Sequence, residues 1–96
     1  MEIIGGTIEY NPADKEKLFP HLRTMIAASN EEEGCLAYEF SPDLSKENVL
    51  HLYEVWVSAE ALQEHLDSAH MAAFNENARP YMLSTDIKRY NGEVAS

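Results

Sequence analysis

The 96-residue sequence predicts an α+β domain in which four strands and two helices follow one another in the order βαββαβ. Two observations predict this order. Runs of β-branched and aromatic residues, which are typical of strands, alternate with segments whose apolar residues recur at the helical spacing of three or four. In addition, a residue that caps helices well opens each helical segment, Asn11 in the first and Ser58 in the second.

The first strand and the first helix account for the N-terminal third of the chain. Residues 3–10 predict the strand, in which Gly5 and Gly6 indicate a bulge or a close approach of another strand. Pro12 follows the Asn11 cap and suits a helix start, because its missing N–H has no helical partner there. One apolar stripe marks the buried face of this helix, and it contains Leu18, Leu22, Met25 and Ser29.

The end of the first helix is marked by charge and by a glycine. Glu31, Glu32 and Glu33 lie where the helix dipole is negative and disfavours carboxylates. We therefore expect the last turn to fray before Gly34 ends the helix. Residues 35–40 then predict the second strand by their alternation of side chains.

The second half of the chain repeats the pattern. Residues 49–57 predict a third strand that is nearly continuous in apolar residues, which indicates a sheet covered on both faces. The helix that Ser58 opens either runs unbroken to Pro80 or is interrupted by a new cap at Asp67 and Ser68. A last strand is predicted over residues 84–90.

Right-handed connections between these elements give the ferredoxin-like arrangement, a four-stranded antiparallel sheet with both helices on one face. We expect this single domain over residues 1–91 and a flexible C-terminal tail over residues 92–96. Because the third strand has apolar side chains on both faces, the face away from the helices needs cover. The sequence therefore predicts a homodimer that packs through this face of the sheet.

The composition argues against several kinds of partner. The chain has 17 Asp and Glu against 7 Lys and Arg, and its formal charge of −10 repels nucleic acids and anionic membrane surfaces. No apolar run approaches the roughly 18 residues of a membrane span, and the N-terminus does not resemble a signal peptide, so we expect a cytoplasmic protein. Cys35 is the single cysteine and has no thiol with which to form an internal disulfide.

The residues best suited to chemistry lie in the segment 52–74. Glu54 and Trp56 share one face of the third strand, and His65 lies at the edge of the second helix's apolar stripe. Because an unperturbed imidazole titrates near pH 6.5, we predict His65 as a catalytic base. Trp56 is the candidate wall for a planar substrate, and Glu54 is the candidate group that orients His65 or pairs with Arg79. For His65, Trp56 and Glu54 alike, the alternative is a purely structural role.

The sequence also bears on metal ligation, on organic cofactors and on the residues that bind a substrate. His65 and His70 are five residues apart instead of three or four, so the spacing predicts no metal site. Gly5 and Gly6 do not form a dinucleotide-binding fingerprint, and we therefore predict no flavin or nicotinamide cofactor. The candidates for substrate binding, each with a packing or capping role as its alternative, are Tyr38, His70, Met71, Phe74 and Tyr81.

Several short segments of the chain carry a resemblance to a known family: Gly34-Cys35-Leu36-Ala37-Tyr38-Glu39-Phe40, Tyr53-Glu54-Val55-Trp56, Ser58, Ala61-Leu62, His65, Ser68-Ala69-His70 and Phe74. Through them, nearly the whole chain resembles the antibiotic biosynthesis monooxygenase domain family, whose small members include quinol monooxygenases and an enzyme that processes a bacterial autoinducer. The resemblance implies a dimeric α+β barrel with a pocket between sheet and helices, and oxygenation of electron-rich aromatics without flavin or metal. In members that oxidise polycyclic aromatics an asparagine shortly precedes the tryptophan, whereas this chain has Leu50, His51 and Leu52 there.

Two kinds of function stay open at this point. The first is a cofactor-independent monooxygenase that acts on a quinol or another electron-rich small aromatic molecule, with molecular oxygen as co-substrate. Deprotonation by His65 makes such a substrate a better electron donor, which dioxygen requires. The second is an isomerase of a small carbonyl signalling molecule, which needs the same base but no oxygen, or a dimeric small-molecule-binding module without turnover.

Overall fold

The computed structural model describes residues 1–95, and its elements follow the predicted order with the second helix divided in two. A 3-10 helix, Pro12–Asp14, precedes the first α-helix, and another, Arg79–Tyr81, precedes the last strand. The strands are β1 (Glu2–Tyr10), β2 (Cys35–Pro42), β3 (Val49–Trp56) and β4 (Met82–Asn91). The α-helices are α1 (Lys15–Asn30), α2 (Ala59–Leu66) and α3 (Ala69–Asn77).

The four strands form one antiparallel sheet in the spatial order β2-β3-β1-β4, which confirms the predicted ferredoxin-like α+β fold. The register aligns side chains from all four strands in rows across the sheet. Glu54 of β3 lies opposite Tyr38 of β2 on one side and Ile4 of β1 on the other, and Ile4 in turn lies opposite Arg89 of β4. Since partners in register point to the same face, these four side chains lie on the helix-covered face.

The core lies between the helices and this face of the sheet, and it does not extend over β4. The predicted stripe of α1 is buried, as Leu18 and Met25 illustrate with no more than 1% exposure. They pack against β1 and β3 through two clusters that contain Ile4, Leu52 and Tyr10. By contrast β4 is exposed along almost its whole length, so the last strand leaves one side of the sheet open.

The opposite face of the sheet is mixed in character. Tyr53 and Tyr90 are exposed there, beside the exposed Glu39 and Lys88. The exposed aromatic rings offer apolar surface to a second subunit, and the charged side chains around them interrupt it. The homodimer through this face stays a prediction.

At two positions a neighbouring element lies so close to the backbone that there is room only for glycine. A Cβ on Gly6 would lie 2.1 Å from the carbonyl oxygen of Asp86, so Gly6 permits β4 to approach β1, as one of the two sequence predictions stated. A Cβ on Gly34 would lie 2.3 Å from Cβ of Ala61. Its backbone is not in the left-handed region, and α1 already ends at Asn30. Gly34 therefore does not terminate the helix as predicted, but lets the following turn contact α2.

The second predicted helix is interrupted, which was one of the two alternatives. The N–H of Asp67 still bonds to the carbonyl of Gln63, and then Ser68 adopts an extended backbone with φ −72° and ψ 157°. The Ser68 hydroxyl accepts a hydrogen bond from the N–H of Met71 at 3.2 Å and thereby caps α3. This break makes α3 a separate helix with its own N-cap.

The C-terminal boundary agrees with the end of the last strand, because β4 ends at Asn91. The division into a domain of residues 1–91 and a flexible tail of residues 92–96 stays a prediction, and Ser96 of that tail lies outside the described residues. Within residues 1–95, no helix has both the length and the apolar character needed to cross a membrane.

Candidate active site

A cavity of about 430 Å³ lies between the helix-covered face of the sheet and helices α2 and α3. This volume falls in the range of about 300–1,000 Å³ that is typical of small-molecule sites. One wall is formed by strand β4. This strand is exposed along almost its whole length, so the cavity is open to solvent on that side. Most of the lining is apolar, as with Ile4, Ile8, Phe40, Leu52 and Leu62. The polar side chains that interrupt this lining include Tyr38, Glu54, His65, Arg79 and Arg89.

His65 of α2 has the surroundings of a general base. Its side chain lines the cavity although the residue is only 1% exposed. Nδ1 lies 2.7 Å from Oε2 of Glu32, and Nε2 lies 4.0 Å from Oε1 of Glu54, which is also in the cavity wall. In a neutral imidazole, a carboxylate that accepts the hydrogen bond at Nδ1 leaves the proton on that atom and a lone pair on Nε2.

Glu32 holds His65 in this orientation, and the sequence analysis did not identify it. It lies in the turn between α1 and β2, where its N–H bonds to the carbonyl of Ser29 and its carbonyl accepts from the N–H of Cys35. The contact between Gly34 and Ala61 brings this turn against α2. The predicted orienting residue was Glu54, and the direct partner of Nδ1 is instead Glu32.

His70 contacts the same carboxylate oxygen. Its Nε2 lies 2.8 Å from Oε2 of Glu32, and its ring centroid lies 5.6 Å from that of His65. The five-residue spacing separates two side chains only on a continuous helix, and the new cap at Ser68 removes that condition. The spacing argument against convergence was therefore wrong. His70 does not line the main cavity but a smaller one of about 130 Å³, which His21 also lines.

Glu54 lies in the cavity wall and forms a hydrogen bond with Trp56, which lies behind the wall. The indole Nε1–H donates to Oε1 of Glu54 at 2.9 Å. Trp56 is fully buried, does not line the cavity, and packs its ring 4.5 Å from the imidazole of His65. The predicted role of Trp56 as a substrate wall thus disagrees with its position, which is one row beyond the cavity. Burial raises the pKa of the Glu54 carboxyl, although the hydrogen bond from Trp56 opposes this.

The other predicted binding residues divide into two groups. Tyr38, Met71 and Phe74 line the cavity, whereas Tyr81 packs in the core cluster around Tyr10 and does not. Burial raises the pKa of Tyr38 well above its usual range, so its hydroxyl stays protonated. Arg79 is in the wall, but its Nε–H donates to Asn75 at 2.9 Å, and it does not pair with Glu54, which was one of the alternatives for that carboxylate.

The fold and the site define a ferredoxin-like α+β domain with an apolar cavity that a carboxylate-bound imidazole lines. Comparison with known families makes this specific: residues 1–77 match the antibiotic biosynthesis monooxygenase family, and the chain belongs to that family.

One curated relative matches most of the chain in sequence. The protein sll1783 of Synechocystis, which is uncharacterised, is 31% identical over 90 residues; the match covers 92% of this chain and 60% of the relative. The chain thus spans about 60% of the length of this curated relative.

Solved structures give the same result. The protein PA3566 of Pseudomonas aeruginosa is 25% identical with a TM-score of 0.86, over 97% of this chain and 94% of that one. A Bacteroides thetaiotaomicron protein, described as a possible oxidoreductase, is 24% identical with a TM-score of 0.85, over 93% and 94% of the two chains. The latter shows the fold alone.

Proposed function

We propose that this protein is a cofactor-independent monooxygenase that acts on a quinol or another electron-rich small aromatic molecule, with molecular oxygen as co-substrate. One observation carries the proposal. The imidazole of His65 lines an apolar cavity of small-molecule size, is held at Nδ1 by Glu32, and has its Nε2 4.0 Å from Oε1 of Glu54, another lining residue. A site of this kind can accept a proton from a hydroxyl group of a bound molecule.

The need for a base follows from the electronic state of oxygen. Triplet dioxygen reacts slowly with closed-shell molecules, and it takes an electron far more readily from a phenolate than from a phenol. His65 Nε2 accepts the phenolic proton, the substrate anion donates one electron to dioxygen, and the resulting radical pair forms a carbon–oxygen bond. A positioned general base contributes about 10²- to 10⁴-fold to such a step.

The atoms and electrons of this reaction balance without any further reductant. A hydroquinone and dioxygen give a hydroxyquinone and water. The substrate supplies all four electrons, two from the hydroquinone-to-quinone oxidation and two from the carbon–hydrogen bond that is replaced. The protonated His65 returns its proton to the peroxide intermediate, whose oxygen–oxygen bond then breaks as water leaves.

Neighbouring residues favour an aromatic substrate. The rings of Phe40 and Phe74 lie in the lining with centroids 6.4 Å apart, next to aliphatic walls such as Leu52 and Leu62. The protonated hydroxyl of Tyr38 supplies a hydrogen-bond donor, and Glu54 supplies a carboxyl group near Nε2 of His65. Together these groups suit a planar molecule with one or two oxygen substituents.

The test is oxygen consumption with a panel of reduced benzoquinols and naphthoquinols. We expect wild-type protein to consume oxygen and His65→Gln to lose about 10²- to 10⁴-fold in kcat, with product oxygen derived from ¹⁸O₂. His51→Ala is the matched control, because His51 also bonds to a carboxylate but lies on the exposed face of β3. Equal rates for His65→Gln and wild type would contradict the proposal.

The same base supports an isomerase of a small carbonyl compound, the second candidate, because proton abstraction next to a carbonyl needs no oxygen. Strict anaerobiosis separates the two enzymes. Turnover that persists without oxygen and depends on His65 favours the isomerase. A ligand that raises the melting temperature without being converted favours a binding module.

A further inference from the structure

Glu32, His65 and His70 form a cluster that the oxygenase proposal uses only in part. The three side chains come from three elements, the turn after α1, helix α2 and helix α3. One potential ligand atom from each lies within 4.8 Å of the others: Oε2 of Glu32, Nδ1 of His65 and Nε2 of His70. Two imidazoles and one carboxylate are a donor set that binds zinc and neighbouring first-row metals.

The charge at this cluster also favours a cation. Among residues 1–95, the polar side chains that contact the Glu32 carboxylate are the two histidines, and neither a lysine nor an arginine pairs with it. When both imidazoles are neutral, the carboxylate charge is therefore hydrogen-bonded but not neutralised. The formal charge of −10 adds a long-range attraction for cations.

The geometry needs only a small adjustment to accept a metal ion. Zinc bonds of about 2.0–2.1 Å place the ligands of a tetrahedron about 3.4 Å apart. The two nitrogens now lie 2.7 and 2.8 Å from Oε2, so the oxygen must retreat by about 0.6 Å. Rotation of the Glu32 side chain allows this, since that side chain is 19% exposed in a turn. The His70 side chain is 25% exposed and leaves room for water as a fourth ligand.

We propose that Glu32, His65 and His70 form a binding site for a divalent first-row metal ion, with zinc as the probe, and that its occupation switches off the base. A neutral imidazole has one N–H. When the metal binds Nδ1 of His65, the proton moves from Nδ1 to Nε2, and no net proton is released. Nε2 then carries the proton and has no lone pair to accept the substrate proton. This consequence for turnover depends on the proposed function, whereas the binding itself does not.

Calorimetric titration of the metal-free protein with Zn²⁺ tests the binding. We expect one ion per chain, and visible Co²⁺ bands of tetrahedral coordination at the same stoichiometry. Glu32→Gln and His70→Gln should each weaken binding by more than about tenfold. Glu33→Gln and His51→Ala are matched controls, since they remove an equal charge and an equal imidazole outside the cluster, and they should bind as wild type does.

Several results decide the outcome. The site is overturned if folded wild type does not bind Zn²⁺. It is also overturned if Glu32→Gln and His70→Gln bind Zn²⁺ as well as wild type does, because such binding would be adventitious and due to surface carboxylates. Far-ultraviolet circular dichroism establishes that each variant is folded. If a variant unfolds, histidine NMR signals of wild type identify the rings that zinc perturbs, and unperturbed His65 and His70 would overturn the site equally.

The activity measurement separates this inference from the proposed function. If wild type oxidises a quinol, saturating Zn²⁺ should abolish at least nine-tenths of its rate, whereas the rate of His70→Gln, relative to its own metal-free value, should fall far less. If no oxygenase activity exists, the calorimetric result still decides the metal site. If oxygenase activity exists and zinc does not bind, the function stands and the metal site fails.

Discussion

Two histidine–carboxylate pairs in this protein have nearly equal lengths and very different surroundings. His65 and Glu32 are 2.7 Å apart, and the imidazole is 2% exposed; His51 and Asp43 are 2.8 Å apart, and the imidazole is 50% exposed. Water and salt screen the second pair, so that it has little influence beyond its own loop. The first pair lies between the core and the cavity. Burial, and not the hydrogen-bond length, makes one pair a candidate catalyst and the other a surface contact.

The largest effect is expected from the carboxylate of the buried pair. Glu32→Gln keeps the size of the side chain but presents either an amide oxygen or an amide N–H to His65, so the tautomer with a free Nε2 is no longer enforced. We expect kcat to fall by a large part of the roughly 10²- to 10⁴-fold that a positioned base contributes, with KM little changed because Glu32 does not line the cavity.

Steady-state kinetics of Glu32→Gln beside Glu33→Gln measure this effect. Glu33 is exposed in the same turn, so its variant removes the same charge without changing the His65 contact. A fall in kcat of equal size in both variants would mean that charge near the site, and not the hydrogen bond to Nδ1, is responsible.

The next largest effect is expected from the contact between Gly34 and Ala61, which positions the turn that contains Glu32. An added methyl group on Gly34 would overlap with Cβ of Ala61, so Gly34→Ala must shift the turn that contains Glu32. Overpacking of this kind costs about 1–3 kcal/mol in the free energy of unfolding. We also expect quinol turnover to fall, because Oε2 of Glu32 moves relative to His65.

Chemical denaturation of Gly34→Ala and Gly5→Ala compares a crowded glycine with an open one. Nothing lies within 4 Å of a Cβ on Gly5, and this strand glycine has no positive φ. Gly5→Ala should therefore be neutral or slightly stabilising. If Gly34→Ala is as stable and active as Gly5→Ala, the turn is more plastic than the contact with Ala61 indicates.

A smaller effect is expected in the pH dependence of stability, where the buried and exposed carboxyl groups should differ in sign. Burial raises the pKa of Glu54, so its contribution to the free energy of unfolding decreases as the pH rises from its ordinary pKa of 4.5 through the folded-state value. The hydrogen bond from His51 lowers the pKa of Asp43, so its contribution is present above the ordinary pKa of 3.8 and is lost as the pH falls through the folded-state value.

Urea denaturation from pH 3 to pH 8 detects these opposite slopes as differences between wild type and each variant. Glu54→Gln retains an oxygen acceptor for the Trp56 N–H, and relative to wild type it should become more stable as the pH rises. Asp43→Asn should be less stable than wild type at neutral pH, and this difference should shrink as the pH falls through the folded-state pKa of Asp43. Parallel curves for wild type and Glu54→Gln would show that the Glu54 carboxyl titrates as it does in the unfolded chain.

The fold was predictable because local signals and tertiary structure agree. The alternation of residues 35–40 places Tyr38 and Phe40 on the buried side, and Ser58 caps α2 through its hydroxyl, which accepts the Ala61 N–H at 3.1 Å. Part of the site follows from the same rules. Glu54 and His65 were assigned to the pocket by strand parity and helix position, and both line it.

The remaining part of the site depends on tertiary contacts that periodicity does not encode. Glu32 reaches His65 because a turn packs on α2, and in the sequence it is one of three consecutive glutamates with no distinguishing pattern. Trp56 has the same parity as Glu54, but the cavity ends before its row, and parity says nothing about distance along a strand. The recapping serine at position 68 was the one available sign that His70 turns toward His65.

The smallest effect is expected from the exposed pair itself. His51→Ala removes the imidazole but leaves the two hydrogen bonds by which Oδ1 of Asp43 accepts the N–H groups of Ser45 and Lys46, so the loop keeps its main support. We expect the melting temperature and the quinol turnover to equal those of wild type within experimental error at physiological ionic strength. Scanning calorimetry at low and at physiological salt measures the first quantity. If His51→Ala is as damaging as His65→Gln, burial does not distinguish the two pairs, because a histidine exposed to water would then influence the cavity as strongly as one enclosed beside it.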